Sequence, residues 1–240
     1  MNLVAETSLA VSEVFGPTVQ GEGPSMGRRA GFIRLARCNL ACRWCDTPYT
    51  WDWKGVNGTP YDPRVEITPS TVRELVEAVG AMDVPLVVIT GGEPMLQATG
   101  LLELAQALTS RGYDVEVETN GTLPPGDLCG LVTFNVSPKL ADSEAAPIAR
   151  RIKPEILADY ARCPSTAFKF VVSTVDQLGE VAGVVQLSKA LPEQVWIMPE
   201  GTDPAALTSR LAALADPVVA RGWNLTTRLH VLAWGNQRGV

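Results

Sequence analysis

The chain has 240 residues, a formal net charge of −6 and a hydrophobic share of 46 %. This share excludes a disordered chain, and the acidic balance argues against binding to nucleic acid through a positive surface. A single histidine excludes metal sites built from several histidines and disfavours Ser-His or Cys-His catalysis. Five cysteines are too few for a disulfide scaffold, and the length predicts one domain over residues 1–240.

The first thirteen residues carry Glu6 and Glu13 and no basic residue, which does not fit a secretory signal. The longest apolar runs, such as residues 86–89, are as long as strands and far shorter than the ~18 residues of a membrane helix. We therefore expect a cytoplasmic protein without a membrane segment, whose thiols stay reduced.

Short apolar segments alternate with amphipathic ones along the chain, which predicts an α/β fold with a parallel sheet. The predicted strands are residues 31–37, 86–90, 115–118, 132–137, 167–172, 195–198 and 228–232. The predicted helices are residues 68–80, 96–111, 176–191 and 203–220. Residues 16–28 and 47–68 fit no element, and long loops of this kind are usually functional or mobile.

These helices are too few for a closed eight-fold barrel, so the pattern predicts a partial (β/α) barrel that is open on one side. An open barrel leaves a sheet edge that a second subunit can cover. We therefore expect a homodimer.

Three cysteines, Cys38, Cys42 and Cys45, follow the first predicted strand with the spacing C-x-x-x-C-x-x-C. Three thiolates on one loop can hold three irons of a [4Fe-4S] cluster and leave the fourth iron open to a small molecule. The alternatives are inert buried thiols and a zinc site with His230 as the fourth ligand. Cys129 and Cys163 are remote in sequence and are expected to be bystanders.

The spacing of the three cysteines, with the aromatic Trp44 between the last two, resembles the signature of the radical S-adenosylmethionine (SAM) superfamily. The resemblance implies that the open iron binds SAM and that an electron from the cluster cleaves it to a 5′-deoxyadenosyl radical. Downstream, Thr90-Gly91-Gly92-Glu93-Pro94 resembles the glycine-rich segment that holds the methionyl amino group of SAM. Glycines there let the backbone approach a ligand closely.

A further set of motifs is similar to those of the 7-carboxy-7-deazaguanine synthase family. They are Gln20-Gly21-Glu22-Gly23, Arg34, Cys45-Asp46-Thr47, Glu118-Thr119-Asn120-Gly121, Ser137-Pro138-Lys139 and the tail around His230. The resemblance implies conversion of 6-carboxy-5,6,7,8-tetrahydropterin to 7-carboxy-7-deazaguanine with release of ammonia, in 7-deazapurine (queuosine-type) biosynthesis.

The same resemblance assigns roles to individual residues. SAM contacts are expected from Trp44, Asp46, Gly92, Glu93, Glu118, Ser137, Pro138 and Lys139. Substrate contacts are expected from Val19, Gln20, Gly21, Glu22, Arg34, Thr90 and His230. Thr47 is expected to bind Mg²⁺, a hard cation that takes oxygen ligands.

Two of these residues keep an alternative interpretation. Arg34 is expected to bind the substrate carboxylate, and the alternative is a structural ion pair. His230 either binds substrate or completes the last strand. The ten residues after His230 either pack near the site or lie exposed at a dimer contact.

The resemblance also implies partners and alternatives. The cluster requires an external electron donor, expected to be flavodoxin-like. One alternative is another small radical SAM enzyme, such as an activase that makes a glycyl radical on a partner protein. A second is an iron–sulfur electron carrier without enzymatic activity.

Overall fold

The computed structural model describes residues 7–240, and the strands found there form one sheet. They are β1 (Ser8–Val19), β2 (Arg29–Leu35), β3 (Thr68–Thr71), β4 (Leu86–Gly91), β5 (Asp114–Thr119), β6 (Thr133–Val136), β7 (Thr166–Val172), β8 (Val195–Pro199) and β9 (Asn224–Leu225). Their order is β3-β1-β2-β4-β5-β6-β7-β8-β9. All neighbours from β2 to β9 pair in parallel, whereas β1 is antiparallel to both β2 and β3. The predicted α/β fold with an open, largely parallel sheet is confirmed.

The helices connect the strands. They are α1 (Pro63–Glu66), α2 (Val72–Gly80), α3 (Ala98–Thr109), α4 (Ile148–Arg151), α5 (Pro154–Arg162), α6 (Leu178–Ser188), α7 (Pro204–Val219) and α8 (Leu229–Trp234). In residues 7–240, no helix has both the length and the apolar character needed to cross a membrane.

Two helix starts illustrate how the sequence sets these boundaries. Helix α2 begins at Thr71, whose hydroxyl accepts the N–H of Glu74 while the Glu74 carboxylate accepts the N–H of Thr71. This reciprocal capping satisfies two backbone donors that a helix start leaves free. Helix α7 begins at Asp203, which caps the N–H of Ala206 and precedes Pro204.

The central strand β4 is buried on both faces, as its continuous apolar run predicts. Val87 and Ile89 join the main core with residues of α2 and α3. Leu86 and Val88 pack on the other face with Phe32. The sheet therefore has a helix-covered outer face and a second face that leads toward the functional residues.

Six of the seven predicted strands are confirmed, and the seventh is wrong. Residues 228–232 begin helix α8, because a five-residue apolar run is too short to distinguish a strand from a helix. Strands β1, β3 and β9 were missed. Strand β9 has two residues, which is too short for a recognisable pattern. Gly16 and Pro17 made the end of β1 resemble a loop, and Thr68 with Pro69 resembled a helix start, although the capping box lies at Thr71.

Cys129 and Cys163 form a disulfide, with a Cα–Cα distance of 5.3 Å. The expectation that the thiols stay reduced is therefore wrong for these two cysteines. Cys129 precedes β6 and Cys163 ends α5, so the bond fastens this helix to the connection before β6. Sequence spacing alone did not reveal it, because disulfide connectivity depends on the fold.

Candidate active site

The carboxyl ends of the strands surround a cavity of about 430 Å³. This is the end of the sheet at which parallel α/β folds place ligands. Seventeen predicted site residues line the cavity. They are Val19, Gln20, Gly21, Glu22, Arg34, Cys38, Cys42, Trp44, Cys45, Asp46, Thr47, Thr90, Gly92, Glu118, Ser137, Lys139 and His230.

The cluster loop, residues 38–47, is fastened to the loop after β5 by a ring of side chains. Asn39 Nδ2 donates to Thr122 Oγ1 at 2.8 Å, and Asn39 Oδ1 accepts Asn120 Nδ2 at 2.9 Å. Thr122 Oγ1 closes the ring by donating to Asn120 Oδ1 at 2.6 Å. On another side, Asn57 Nδ2 donates to the carbonyl of Cys42 at 2.7 Å. The loop is therefore held from two directions.

The three cysteines of this loop are free thiols that border the cavity. Burial raises the pKa of Cys38 to about 12 and that of Cys42 to about 11. Two sulfurs accept N–H groups, Cys38 Sγ from Leu40 N at 3.5 Å and Cys45 Sγ from Trp51 Nε1 at 3.3 Å. The loop thus already supplies hydrogen bonds of the kind that tune iron–sulfur clusters.

The loop of residues 20–23, named the substrate loop after the contacts expected of it, places Gln20 inward. Its Nε2 donates to Glu116, and its Oε1 accepts the N–H of Glu22 at 3.2 Å. Both ends of the Gln20 amide are therefore used within the protein. Gln20 borders the cavity together with Gly21 and Glu22, but its amide is engaged within the protein.

The substrate loop docks on the segment between β9 and α8. Gly23 N donates to Thr226 Oγ1 at 3.0 Å, and Leu229 N donates to the carbonyl of Gly21 at 2.8 Å. His230 packs so closely on Gly21 that a Cβ at that position would lie 1.9 Å from the imidazole Nδ1. Only glycine at position 21 allows this contact.

A buried charge network crosses the cavity. Lys169 Nζ pairs with Glu22 and lies 3.2 Å from Glu118 Oε1. Arg228 Nε lies 3.0 Å from Glu22 Oε1, and Arg228 also pairs with Asp46. Although burial opposes ionisation, Lys169 and Arg228 hold the pKa of Glu22 far below its usual range. Glu22 is therefore an ionised hydrogen-bond acceptor.

Arg34 forms the ion pair that was its alternative interpretation, with Nε 2.9 Å from Glu13 Oε2. Tyr49 donates its hydroxyl to the same oxygen at 2.9 Å. Arg238 pairs with Glu13 and with Glu66, and its guanidinium lies 3.7 Å from the Tyr49 ring centroid. Residues 236–240 line the cavity, so the tail packs near the site.

Comparisons with known proteins agree with this geometry. Residues 32–167 match the model of the Radical SAM superfamily. The 7-carboxy-7-deazaguanine synthase of Pyrobaculum aerophilum is 39 % identical over 241 residues, which cover 98 % of this chain and 99 % of the relative. The corresponding protein of Rhodopirellula baltica is 34 % identical over 98 % of this chain and 90 % of its own. The chain belongs to the 7-carboxy-7-deazaguanine synthase family.

The solved structure of QueE from Escherichia coli supports the same conclusion for the fold. It matches with a TM-score of 0.69 and 25 % identity, over 93 % of this chain and 95 % of that one. The fold is therefore the partial (β/α) barrel of the radical SAM type.

Because this protein belongs to the radical SAM superfamily, it binds a [4Fe-4S] cluster and SAM. The residues present fit this cluster, because three free thiols on one loop can each bind a different iron. Among the described residues, no three His, Cys, Asp or Glu side chains converge closely enough to hold a single metal ion.

Two residues expected to contact SAM do not line the cavity of this synthase-family protein, Glu93 and Pro138. Glu93 is fully buried and accepts hydrogen bonds from Met95 N at 2.9 Å, Thr119 Oγ1 at 2.8 Å and Asn120 N at 2.7 Å. Its carboxylate therefore ties the end of β4 to the end of β5 rather than facing a ligand.

Sequence reasoning missed Lys169 and Arg228. Lys169 is the one charged residue in the buried strand segment Ala-Phe-Lys-Phe-Val, and 4 % of its surface is exposed. An ionisable residue in such a run is costly to bury without a partner, so this position carried a usable signal. Arg228 carried none, because its partners come from two distant loops.

Proposed function

We propose that this protein converts 6-carboxy-5,6,7,8-tetrahydropterin to 7-carboxy-7-deazaguanine with release of ammonia, in 7-deazapurine biosynthesis. The observation that carries the proposal is one cavity shared by the three cluster thiols, the carboxylate of Glu22 and the guanidinium of Arg34. When bound, the cluster and SAM supply the radical that abstracts hydrogen from the substrate. The protein then has to bind, orient and shield that substrate.

Glu22 suits the guanidine-like edge of a pterin, which presents N–H donors. Its carboxylate is ionised because Lys169 and Arg228 lie beside it, and an ionised carboxylate only accepts hydrogen bonds. The partly buried position strengthens such a bond relative to water. Val19, Gly21, Thr90 and His230 line the same cavity and complete the proposed substrate contacts.

Arg34 suits the substrate carboxylate. Its Nε is taken by Glu13, and among the described residues its terminal Nη groups have no hydrogen-bond partner. The outer edge of the guanidinium is therefore open to a bidentate bond with a carboxylate. Glu13 orients the Arg34 side chain through Nε and leaves the Nη donors available to the substrate.

SAM would be held opposite the thiols. Lys139 Nζ lies 2.8 Å from Ser137 Oγ and 5.7 Å from the Trp44 ring centroid. Within residues 7–240 it has no carboxylate within 4.0 Å, so its charge is available to the carboxylate of SAM. Gly92 lines the cavity, and only glycine fits there, since a Cβ would lie 2.1 Å from the Arg37 carbonyl oxygen. Asp46 and Glu118 line the same region.

We assign Mg²⁺ to Thr47, whose hydroxyl borders the cavity 3.7 Å from Cys45 Sγ. Mg²⁺ keeps several waters and needs few protein ligands, so one hydroxyl together with substrate oxygens is sufficient. The ion would orient the substrate carboxylate between Thr47 and Arg34.

The proposal also covers domain organisation, oligomeric state, compartment and electron donor. One domain over residues 1–240 acts as a homodimer in the cytoplasm and receives electrons from a flavodoxin-like donor. The sheet is open and ends at β3 and β9, and an open edge is a surface that a second subunit could cover. Light scattering checks the dimer, and reduction of the cluster by purified flavodoxin checks the donor.

The test of the activity is anaerobic incubation of cluster-loaded protein with SAM, Mg²⁺, reductant and the carboxytetrahydropterin. We expect 7-carboxy-7-deazaguanine and one ammonia per product, and no product from Cys42→Ala. An intact cluster without product would reject the assignment and favour another radical SAM reaction, such as glycyl-radical activation. Omission of Mg²⁺ tests the ion separately.

A further inference from the structure

Arg228 is buried, with 7 % of its surface exposed, and it uses three nitrogens on three partners. Nε binds Glu22 Oε1 at 3.0 Å, Nη1 donates to the carbonyl of Gly201 at 2.9 Å, and Nη2 pairs with Asp46. The guanidinium is planar and rigid, so its three bonds keep a fixed relation to one another. A displacement of one carboxylate is therefore passed to the other.

The two carboxylates belong to different functional loops. Asp46 stands between Cys45 and Thr47 in the cluster loop, whereas Glu22 belongs to the substrate loop. Their separation in sequence is large, and the Arg228 guanidinium binds both.

Arg228 is also part of the segment on which the substrate loop docks. Its neighbour Leu229 donates to the carbonyl of Gly21, and His230 packs on Gly21. Movement of Arg228 therefore acts on the substrate loop through backbone and side-chain contacts together.

We propose that Arg228 is a positioning residue that couples SAM binding at the cluster loop to pterin binding at the substrate loop. This inference rests on the proposed function. SAM bound beside the cluster loop holds the Asp46 carboxylate in place. Asp46 then holds the Arg228 guanidinium, which orients the Glu22 carboxylate to accept the pterin N–H groups. A contiguous network of this kind can carry coupling between two sites.

Coupling of binding is reciprocal, which gives a sharp expectation. If SAM tightens pterin binding by a factor α, the pterin must tighten SAM binding by the same α. Coupling factors of roughly 5–150 are typical. We expect α in this range for the unmodified protein and α near one for Arg228→Gln.

The experiment is anaerobic calorimetry on cluster-loaded protein with the cluster oxidised, so that no turnover occurs. The Kd of SAM is measured without and with saturating carboxytetrahydropterin, and the Kd of the pterin without and with SAM. Asp46→Asn removes the negative charge from the arm to the cluster loop and weakens its bond to Arg228. It is expected to lower α toward one, whereas a merely structural role of Arg228 would weaken SAM and pterin binding without changing the factor by which each ligand tightens the other.

Arg28→Gln is the matched control, because Arg28 pairs with Asp114 near the substrate loop without touching the cluster loop. It is expected to keep the original α. If Arg228→Gln does not load its iron, Arg228→Lys replaces it, since lysine keeps the charge and loses the fork.

An unchanged α in the Arg228 variants overturns the inference, as does an α of one in unmodified protein that converts the pterin. Loss of α in Arg28→Gln as well would also overturn it. Unmodified protein that neither binds nor converts the pterin rejects the proposed function instead.

Discussion

Lys169 Nζ lies 3.2 Å from Glu118 Oε1, and only 5 % of the lysine side chain is exposed. The same ammonium pairs with Glu22, so one buried cation serves two carboxylates. Burial opposes its charge, but Glu118 and Glu22 together raise the pKa of Lys169 above its usual range. Lys169 is therefore a permanent cation and not a proton donor at neutral pH.

Lys169→Met is expected to destabilise the protein by about 3–5 kcal/mol, the range found when one partner of a buried ion pair is removed. The loss arises because Glu118 loses its cationic partner and Glu22 keeps only Arg228. Urea unfolding of the cluster-loaded protein under anaerobic conditions measures it. The exposed Lys189→Met is the control, expected within about 0.5 kcal/mol. Equal unfolding midpoints for the two variants would contradict the prediction.

Gly21→Ala is expected to weaken pterin binding and to destabilise the protein by about 1–3 kcal/mol. The new methyl group would lie 1.9 Å from His230 Nδ1, so either the substrate loop or α8 must shift. Calorimetric titration with the pterin and thermal unfolding measure the two effects. Gly183→Ala in α6 meets no atom within 4 Å and is expected to be neutral or stabilising. Pterin affinity unchanged by Gly21→Ala would show that the contact is unimportant.

Trp51→Phe is expected to lower the reduction potential of the cluster. The variant removes the N–H donor that lies 3.3 Å from Cys45 Sγ and keeps an aromatic ring. Such donors stabilise the more negative, reduced cluster. A redox titration followed by electron paramagnetic resonance measures the change, and Trp53→Phe in the same loop is the control. Identical potentials for the two variants would rule out the effect.

His230 provides a pH dependence that can be isolated, because the chain has one histidine. Burial lowers the pKa of His230 below its usual range. The unfolded chain takes up a proton near pH 6.5 and the folded chain only at lower pH, so stability from this group is lost as pH falls below about 6.5.

The stability advantage of the unmodified protein over His230→Gln should therefore shrink between pH 7.5 and pH 5.5. The slope cannot exceed about 1.4 kcal/mol per pH unit for one group. Thermal unfolding of both proteins across this range gives the difference. Parallel curves would mean that the folded and unfolded states protonate this imidazole alike.

Reduction of the Cys129–Cys163 disulfide is expected to cost about 4 kcal/mol, because the bond closes a loop across a sequence separation of 34. Thermal unfolding with and without a phosphine reductant measures the loss. The double variant Cys129→Ala/Cys163→Ala is expected to be insensitive to the reductant and to keep its iron content. If the reductant does not change the melting temperature of the unmodified protein, the disulfide does not contribute to its stability.

The motifs with strict local requirements could be predicted from the sequence, and the interactions between them could not. The cysteine spacing and Gly92 are set by a few neighbouring atoms, so they are legible in a short stretch of chain. The partners of Arg228 lie 206 and 182 residues away in sequence, and only the fold brings them together. The same holds for the disulfide and for β1, whose pairing with β2 and β3 outweighs its unfavourable Gly16 and Pro17.

The contacts between the substrate loop and the segment after β9 span the gap that the sheet leaves open. In a closed barrel, hydrogen bonds between strands run all the way round. In this partial barrel, a few contacts, which we call the clasp, join the two sides of the gap. The clasp consists of two hydrogen bonds donated by backbone N–H groups, from Gly23 to Thr226 Oγ1 and from Leu229 to the Gly21 carbonyl, and of the Arg228–Glu22 pair. Hydrogen bonds of this kind contribute about 1 kcal/mol each, so the cavity of the partial barrel can widen without breaking any hydrogen bond between strands.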